Sequence, residues 1–306
     1  MTLTHSPPEY RAPWWRILWH PYQRLWNWRL VGAVRSAFPD SLLGRLAVKS
    51  IILLDTLLLG LRALARRVSR TGFRSLIGTP RVPPDIPVLY FDLGTHRKAR
   101  ELSFMVYKVL PTVCDRFTAY GFEAFRPFWE EAREQFTDRP DVRLINGALC
   151  HFAMPLSGTI KLYKGQADGL GASIYREGEA EYEEVAAMRF SDWLRDNDMT
   201  LRTSICLLRM NIEGAEFDVI QDLVDHGLAE FIDGYYGMWD DTSKIDPRRG
   251  EELRALLTAN KIAPFTFNGR DLRFAARKQC IAYDVFTSIQ AGARRIRAAG
   301  LPGARD

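Results

Sequence analysis

VLYFDLGT, residues 88–95, is the stretch that determines the fold class of this chain. Its apolar beginning predicts a buried strand, and Gly94 allows the backbone to turn tightly after it. A helical pattern of apolar residues at spacings of three and four follows, and residues 117–122 form a second strand candidate that ends in Glu123. A strand, a glycine turn, a helix and a second strand with a terminal acid are the first half of a nucleotide-binding α/β domain.

The acid at the end of the second strand has the chemistry to bind a ribose, because a carboxylate accepts hydrogen bonds through two oxygens. A dinucleotide fingerprint requires three glycines, yet only Gly94 is present, and Arg97, Lys98 and Arg100 occupy the following loop. Glu123 also follows Asp92 by 31 residues, which argues against a nicotinamide-dependent oxidoreductase. From these residues alone, a nucleotide site and an α/β turn without a ligand both remain open.

A second motif, NIEGAE at residues 211–216, follows an apolar strand candidate at 205–210. Ligands of an open parallel sheet bind at the carboxyl ends of its strands. We therefore expect Asn211 and Glu213 to face the same crevice as the Gly94 turn. Glu216 begins a helix, where an acid suits the positive end of the helix dipole, so its role is either that or a functional one.

Together these motifs resemble those of the FkbM family of S-adenosylmethionine-dependent methyltransferases. FDLG at 91–94 is similar to the opening D-x-G, GFEAFRP at 121–127 to the F-E-P segment, and NIEGAE to the D-x-E-G-x-E element. The resemblance covers about Val88 to Thr287. The chain departs from the family pattern at Asn211, where Asp is usual, and at Lys98, near a usual loop glycine.

The resemblance implies a class I methyltransferase fold, an α/β Rossmann-like architecture with a mostly parallel seven-stranded sheet flanked by helices. It implies S-adenosylmethionine as the cofactor, no metal, and O-methylation of a hydroxyl on a sugar, glycolipid or polyketide-like product. Glu213 is the first candidate for substrate orientation or proton acceptance and His151 the second, although a lone His is more often a bystander. The alternative is a non-catalytic binding or scaffold protein on the same fold. The candidate cofactor-binding residues are Asp92, Gly94, Thr95, Glu123, Asn146 and Asn211.

Asn146 has two open interpretations. The resemblance makes it a candidate for hydrogen bonds to the adenine ring edge, whereas Asn146-Gly147 is also a strong turn signal.

The remaining patterns predict further elements along the chain. Strands are expected at 142–148, 159–163, 185–190, 231–235, 263–267 and 279–286, and helices at 125–136, 191–197 (capped by Ser191) and 247–260. We expect three regions: a helical extension at 1–80, the methyltransferase domain at 81–289, and a basic, frayed tail at 290–306.

The charge is uneven along the 306 residues. Residues 1–79 contain 12 Lys and Arg against 3 Asp and Glu, a net charge of +9, whereas the remainder carries 30 against 34. Because the basic residues are not in the predicted catalytic domain, a nucleic-acid partner is not expected. The four cysteines show no C-x-x-C pattern, which indicates buried free thiols in a reducing compartment. We therefore expect a cytoplasmic protein, with its extension at the inner face of the membrane as one option.

The N-terminal extension lacks the apolar core of a signal peptide. It holds five of the eight tryptophans, interleaved with arginines, which suits a lipid headgroup boundary, packing onto the domain, or a partner surface. Leu42–Val68 predicts one helix, whose apolar middle of sixteen residues is interrupted by Lys49 and Asp55. It could dock on its own domain, lie in a membrane interface or span a bilayer, and its length disfavours the span. Arg81–Pro87 predicts a stiff linker.

Overall fold

The computed structural model divides the chain into two units, Met1–Thr79 and Pro80–Asp306. In the second unit the structure describes residues 82–150, 158–165, 171–175, 181–239, 241–266, 285 and 288–300. In the first it describes residues 37–38, 41–43, 46–47 and 50. Most of the helix predicted at Leu42–Val68 therefore lies outside the described residues, as does the strand predicted at 279–286 except for Val285, which is helical.

The second unit is an α/β fold with a parallel central sheet flanked by helices, compatible with a Rossmann-like fold. The main sheet has the order β3-β2-β1-β7-β8-β9, and every neighbouring pair of its strands is parallel. A smaller sheet has the order β4-β6-β5. The strands are β1 Val88–Leu93, β2 Phe117–Glu123, β3 Val142–Asn146, β4 Ala148–Leu149, β5 Thr159–Tyr163, β6 Tyr182–Met188, β7 Ile205–Met210, β8 Gly234–Gly237 and β9 Phe265–Thr266.

The order of the main sheet is that of a doubly wound fold, in which the chain first adds strands on one side of β1 and then crosses to the other. All six residues of β1 and all six of β7 are buried, which explains why both read as nearly continuous apolar runs in the sequence. Within the described residues the main sheet has six strands. The seven-stranded architecture thus remains a prediction.

Helices connect the strands. They are α1 Arg100–Phe104, α2 Arg126–Glu134, α3 Phe190–Asp196, α4 Glu216–Asp225, α5 Asp241–Ile245, α6 Pro247–Ala259 and α7 at 288–298. After α1 the helix widens into a π-helical turn, Met105–Val109, and continues through Leu110–Val113. Pro111 explains the wider turn, because it lacks an N–H for the Tyr107 carbonyl and its ring would clash with that carbonyl.

Three local predictions were wrong, each because a tertiary contact or glycine content outweighed the local pattern. The strand expected at 231–235 begins only at Gly234, because Ala229–Phe231 form a 3₁₀ turn, and the two glycines of GYYG obscured the strand in the sequence. Ser191 does not cap α3 but donates through its N–H and hydroxyl to the buried carboxylate of Asp222. The tail expected to fray from residue 290 is helical through 298.

Helix α7 docks on the domain. Its Ile289 and Ile296 are buried, and Arg295 donates to both carboxylate oxygens of Asp233, each at 2.9 Å. The same guanidinium donates to the Ser204 carbonyl at 2.7 Å. Arg295, one of the basic residues that suggested a solvated tail, therefore anchors α7 at the amino ends of β7 and β8.

Two further predictions can be compared with the described residues. Cys114, Cys150 and Cys206 are buried and form no disulfide bond, as expected, and Cys280 lies outside the described residues. None of the helices in the described part of the chain has the length and apolar character needed to cross a bilayer.

Candidate functional site

The candidate site lies at the carboxyl ends of β1, β2 and β7, where the order of the main sheet reverses. The register pairs Asp92 of β1 with Gly121 of β2 on one side and with Arg209 of β7 on the other. The chain therefore brings the Gly94 turn, Glu123 and the turn that begins at Asn211 to one edge, as the sequence predicted. This edge is where open α/β sheets bind ligands.

Gly94 and Asn211 form the closest backbone approach at this edge. Gly94 has a φ of +86°, and a Cβ added to it would stand 2.0 Å from the carbonyl oxygen of Asn211. The Asn211 N–H donates to the Leu93 carbonyl at 2.9 Å, which holds the two turns together. Glycine is required here for both its left-handed backbone and its lack of a side chain.

Thr95 is buried and supports the turn after β1. Its N–H donates to the Phe122 carbonyl at 3.0 Å and its hydroxyl donates to the Asp92 carbonyl at 3.2 Å. Its predicted contact with a cofactor stays a prediction, because the hydrogen bonds that define its position are internal ones.

The loop after Thr95 adopts left-handed backbone without glycine. His96 and Ala99 have φ values of 64° and 39°, whereas Lys98, which stands near the usual glycine, is exposed. Non-glycine residues adopt this region at some cost, so surrounding contacts must hold the loop. One such contact is the His96 N–H, which donates to Glu123 Oε2 at 2.7 Å.

Glu123 is buried at the end of β2 and bonds to its own surroundings through both carboxylate oxygens. Oε2 accepts from His96, and Oε1 accepts from the Phe125 N–H at 3.0 Å. Burial raises the pKa of Glu123 to about 7, although the two backbone N–H groups act in the opposite direction. Each oxygen retains a second lone pair, so the carboxylate can still accept from a ligand hydroxyl.

Asn146 has a structural role in the neighbouring turn. Its Nδ2 donates to the carbonyl oxygens of Glu123 at 2.9 Å and Ala124 at 3.1 Å. These bonds support the turn interpretation, and the predicted adenine contact remains a prediction. His151 lies outside the described residues.

Sequence reasoning missed the ion pair between Asp92 and Arg209. Arg209 Nη1 donates to Asp92 Oδ1 at 2.6 Å and to the Gly94 carbonyl at 2.7 Å, and both side chains are almost fully buried. Burial acts to lower the pKa of Arg209, but the Asp92 carboxylate raises it overall, so the guanidinium stays charged. The signal was available: an arginine inside the apolar run ICLLRM of a central strand must have a buried partner.

The buried polar atoms that have no hydrogen-bond partner among the described residues include three at the switch point. They are Asp92 Oδ2, Arg209 Nε and Asn211 Oδ1. Buried polar atoms are nearly always hydrogen-bonded in folded proteins. Two acceptors and one donor at the switch point therefore give the edge the chemistry to bind a polar ligand.

The turn after β7 is tied by Glu216. Its Oε1 accepts from the Ile212 N–H and its Oε2 from the Gly214 N–H, both at 2.8 Å, and Oε2 also accepts from the Thr242 hydroxyl at 3.0 Å. Burial raises the pKa of Glu216, while the Ile212 N–H opposes this shift. Glu216 thus does more than begin α4, because it satisfies the amides on both sides of Glu213.

Glu213 lies at the tip of this turn, partly exposed, with a φ of +50°. Its carbonyl accepts from the Ser173 hydroxyl at 2.6 Å, which fixes the backbone in this uncommon conformation. Ser173 itself pairs with Tyr163 at the end of β5. The smaller sheet therefore supports the turn that carries the first catalytic candidate.

A second cluster that the sequence did not reveal lies beside this turn. The Tyr175 hydroxyl donates to the buried carboxylate of Asp218 on α4, and Arg249 of α6 donates to both oxygens of that carboxylate at 3.0 Å. The Arg249 guanidinium also lies 4.2 Å from the centre of the Tyr175 ring. These contacts fasten the 171–175 segment to α4 and α6.

The chain matches no protein-family model, no curated protein and no solved structure. The similarity to the FkbM family thus rests on the motif residues alone. The described fold is that of an α/β protein with a parallel central sheet flanked by helices, compatible with a Rossmann-like fold.

Proposed function

We propose that this protein is an S-adenosylmethionine-dependent O-methyltransferase that acts on a hydroxyl of a sugar, glycolipid or polyketide-like product. One observation carries the proposal: Asp92 Oδ2 and Asn211 Oδ1 are buried acceptors without a donor among the described residues, and they flank the switch point of the sheet. The similarity of the motifs that contain them to FkbM motifs supplies the reaction class.

The residues at this edge fit such a cofactor. Its ammonium group and ribose hydroxyls are hydrogen-bond donors, and Asp92, Glu123 and Asn211 offer acceptor oxygens. Asn211 brings no negative charge, and the Asp92 carboxylate is already paired with Arg209, so these two residues would serve the ammonium as hydrogen-bond acceptors. When bound, S-adenosylmethionine supplies an activated methyl group on a sulfonium.

The protein has two tasks in this reaction. It must hold the acceptor hydroxyl at the distance and angle of an in-line displacement, and it must help to remove the hydroxyl proton. Glu213 is our candidate for proton acceptance, because it lies at the tip of the turn that follows β7 while Glu216 ties that turn to the fold. His151 is the second candidate.

Calorimetric titration of the full-length protein with S-adenosylhomocysteine tests the cofactor assignment. We expect binding, and we expect Glu123→Ala to weaken it by about 1.5–3 kcal/mol, the value of a charge-assisted hydrogen bond, or roughly tenfold to a hundredfold in Kd. Glu134→Ala, which removes an exposed acid from the end of α2, is the matched control. Equal affinity in wild type and Glu123→Ala would rule out the ribose role.

A non-catalytic binding protein is the second candidate function. It is favoured by the internal bonds of Glu123 and Asn146, which fill part of the hydrogen-bonding capacity that a cofactor would use. The same titration separates the two candidates, because a scaffold on this fold would show no heat of binding with S-adenosylhomocysteine.

A further inference from the structure

Exposed large apolar side chains are concentrated in the N-terminal unit. Among the described residues six are exposed, and four of these lie between residues 38 and 46. The side chains of Leu42, Leu43 and Leu46 have relative exposures of 70%, 66% and 54%. The other three are Phe38, Tyr107 and Tyr182. Single exposed apolar residues are normal, but such a concentration marks an interaction surface.

The three leucines share one face. Residues 42, 43, 46, 47 and 50 are helical in the described part of this unit. Because an α-helix advances about 100° per residue, Leu42, Leu43 and Leu46 fall within an arc of about 100°. We call this arc the leucine face.

The charge around the leucine face selects its partner. The first 79 residues carry a net charge of +9, and Arg45 and Lys49 stand in the same stretch of sequence. A second copy of this chain would bring the same positive charge into contact, which is unfavourable. An anionic bilayer surface attracts basic residues, and its headgroup boundary accepts leucine and tryptophan side chains.

We propose that the leucine face docks on the surface of an anionic lipid bilayer. The aliphatic side chains of the leucine face enter the boundary between headgroups and acyl chains, and the net positive charge of the unit attracts it to the anionic surface. This proposal does not depend on the methyltransferase proposal, because no residue of the candidate site takes part in it.

Vesicle flotation of the full-length protein provides the test. The probes are vesicles of phosphatidylcholine alone and of phosphatidylcholine with phosphatidylglycerol. At low salt we expect flotation with the anionic vesicles only, and we expect added NaCl to release the protein because salt screens exposed charges. The triple variant Leu42→Ser, Leu43→Ser, Leu46→Ser should lower the partition constant by about tenfold or more.

Tyr182→Ser is the matched control, since Tyr182 is an exposed apolar residue of the other unit, with 48% exposure. It should float like the wild type, and thermal melting should show that each variant is folded. The salt response of the wild type tests the proposal without any variant. Protein that stays in the soluble fraction at low salt would overturn the proposal, as would equal flotation with neutral vesicles. The proposal would also be overturned if the wild type formed dimers and did not bind vesicles while the triple variant was monomeric, because the leucine face would then be a contact between copies.

Discussion

Asp92 and Arg209 face each other across β1 and β7, and 2.6 Å separates Oδ1 of the carboxylate from Nη1 of the guanidinium. The same nitrogen donates to the Gly94 carbonyl. One arginine therefore neutralises the acid at the centre of the sheet and holds the glycine turn that follows it. Because Asp92 Oδ2 and Arg209 Nε have no further partner among the described residues, the pair is both a structural element and part of the candidate site.

Replacing Arg209 should strongly destabilise the fold. Arg209→Met leaves the Asp92 carboxylate buried without a counter-charge, which costs about 3–5 kcal/mol in the free energy of unfolding. Arg248→Met is the matched control, because it breaks an exposed ion pair with Glu252 and should cost less than about 1 kcal/mol. Urea unfolding measures both. If the double variant Asp92→Leu, Arg209→Met is no more stable than Arg209→Met alone, the uncompensated charge of Asp92 is not the cause of the lost stability.

Gly94→Ala should lower the free energy of unfolding by more than the left-handed backbone conformation of Gly94 alone accounts for. Gly94 and Gly227 both have positive φ, but a Cβ at Gly227 meets no atom within 4 Å, whereas one at Gly94 collides with the Asn211 carbonyl. Gly227→Ala should therefore cost about 1–2 kcal/mol, the price of the conformation. Gly94→Ala should exceed this by at least about 1 kcal/mol, because the two turns must move apart. Equal losses in denaturant unfolding would show that the turns separate freely.

The main sheet could largely be predicted from the sequence, because its central strands are buried on both faces. That environment demands runs such as VLYFDL and ICLLRM, which are hard to mistake. Strand β8 was misplaced because two of its four residues are glycine. Helix α7 was missed because Arg295 looks like a solvated residue until Asp233, 62 positions away, is brought beside it.

The candidate site was only partly predictable for a related reason. The positions of Gly94, Glu123 and Asn211 follow from strand order, so motif spacing was enough to bring them to one edge. The hydrogen-bond partners of Glu123, Asn146 and Glu216 depend on how each turn closes, which no periodicity encodes. The sequence therefore could not predict the structural role of Glu216, which depends on hydrogen bonds formed in the folded chain.

Glu123 should make stability depend on pH near neutrality. Its pKa in the folded protein is about 7, above the ordinary value of 4.5, because burial disfavours the charged form. Between these two values the folded state binds more protons than the unfolded state. The contribution of Glu123 to stability is therefore fully present below about pH 4.5 and is lost as the pH rises towards 7.

The measurement compares the unfolding free energies of wild type and Glu123→Gln from pH 4.5 to 8. The wild-type value should fall relative to the variant by about 3 kcal/mol across this range. The ligand gives a second readout. At pH 6, binding of S-adenosylhomocysteine should release a proton from Glu123, which calorimetry in buffers of different ionisation enthalpy detects. Parallel pH profiles would contradict the raised pKa.

Glu213 and Glu216 form a matched pair, because both are acids of one turn and the structure assigns them different surroundings. Glu216 is fully buried and accepts from two backbone amides and a hydroxyl. A Gln there turns an N–H₂ group towards one of those donors, so Glu216→Gln should lose about 3 kcal/mol of stability. Glu213 is partly exposed at the tip, and Glu213→Gln should change stability by less than about 1 kcal/mol.

The effects on turnover should be the reverse of the effects on stability, so that Glu213→Gln is the more damaging of the two substitutions. If Glu213 accepts the proton of the methyl acceptor, Glu213→Gln should lower the rate of S-adenosylhomocysteine formation by roughly 100-fold or more while cofactor affinity stays unchanged. The folded fraction of Glu216→Gln should keep more activity than this, because Glu216 acts on the turn and not on the substrate. The decisive result is the behaviour of Glu213→Gln. A sharp drop in melting temperature with full specific activity in the remaining folded protein would make Glu213 a structural residue and remove it from the chemistry.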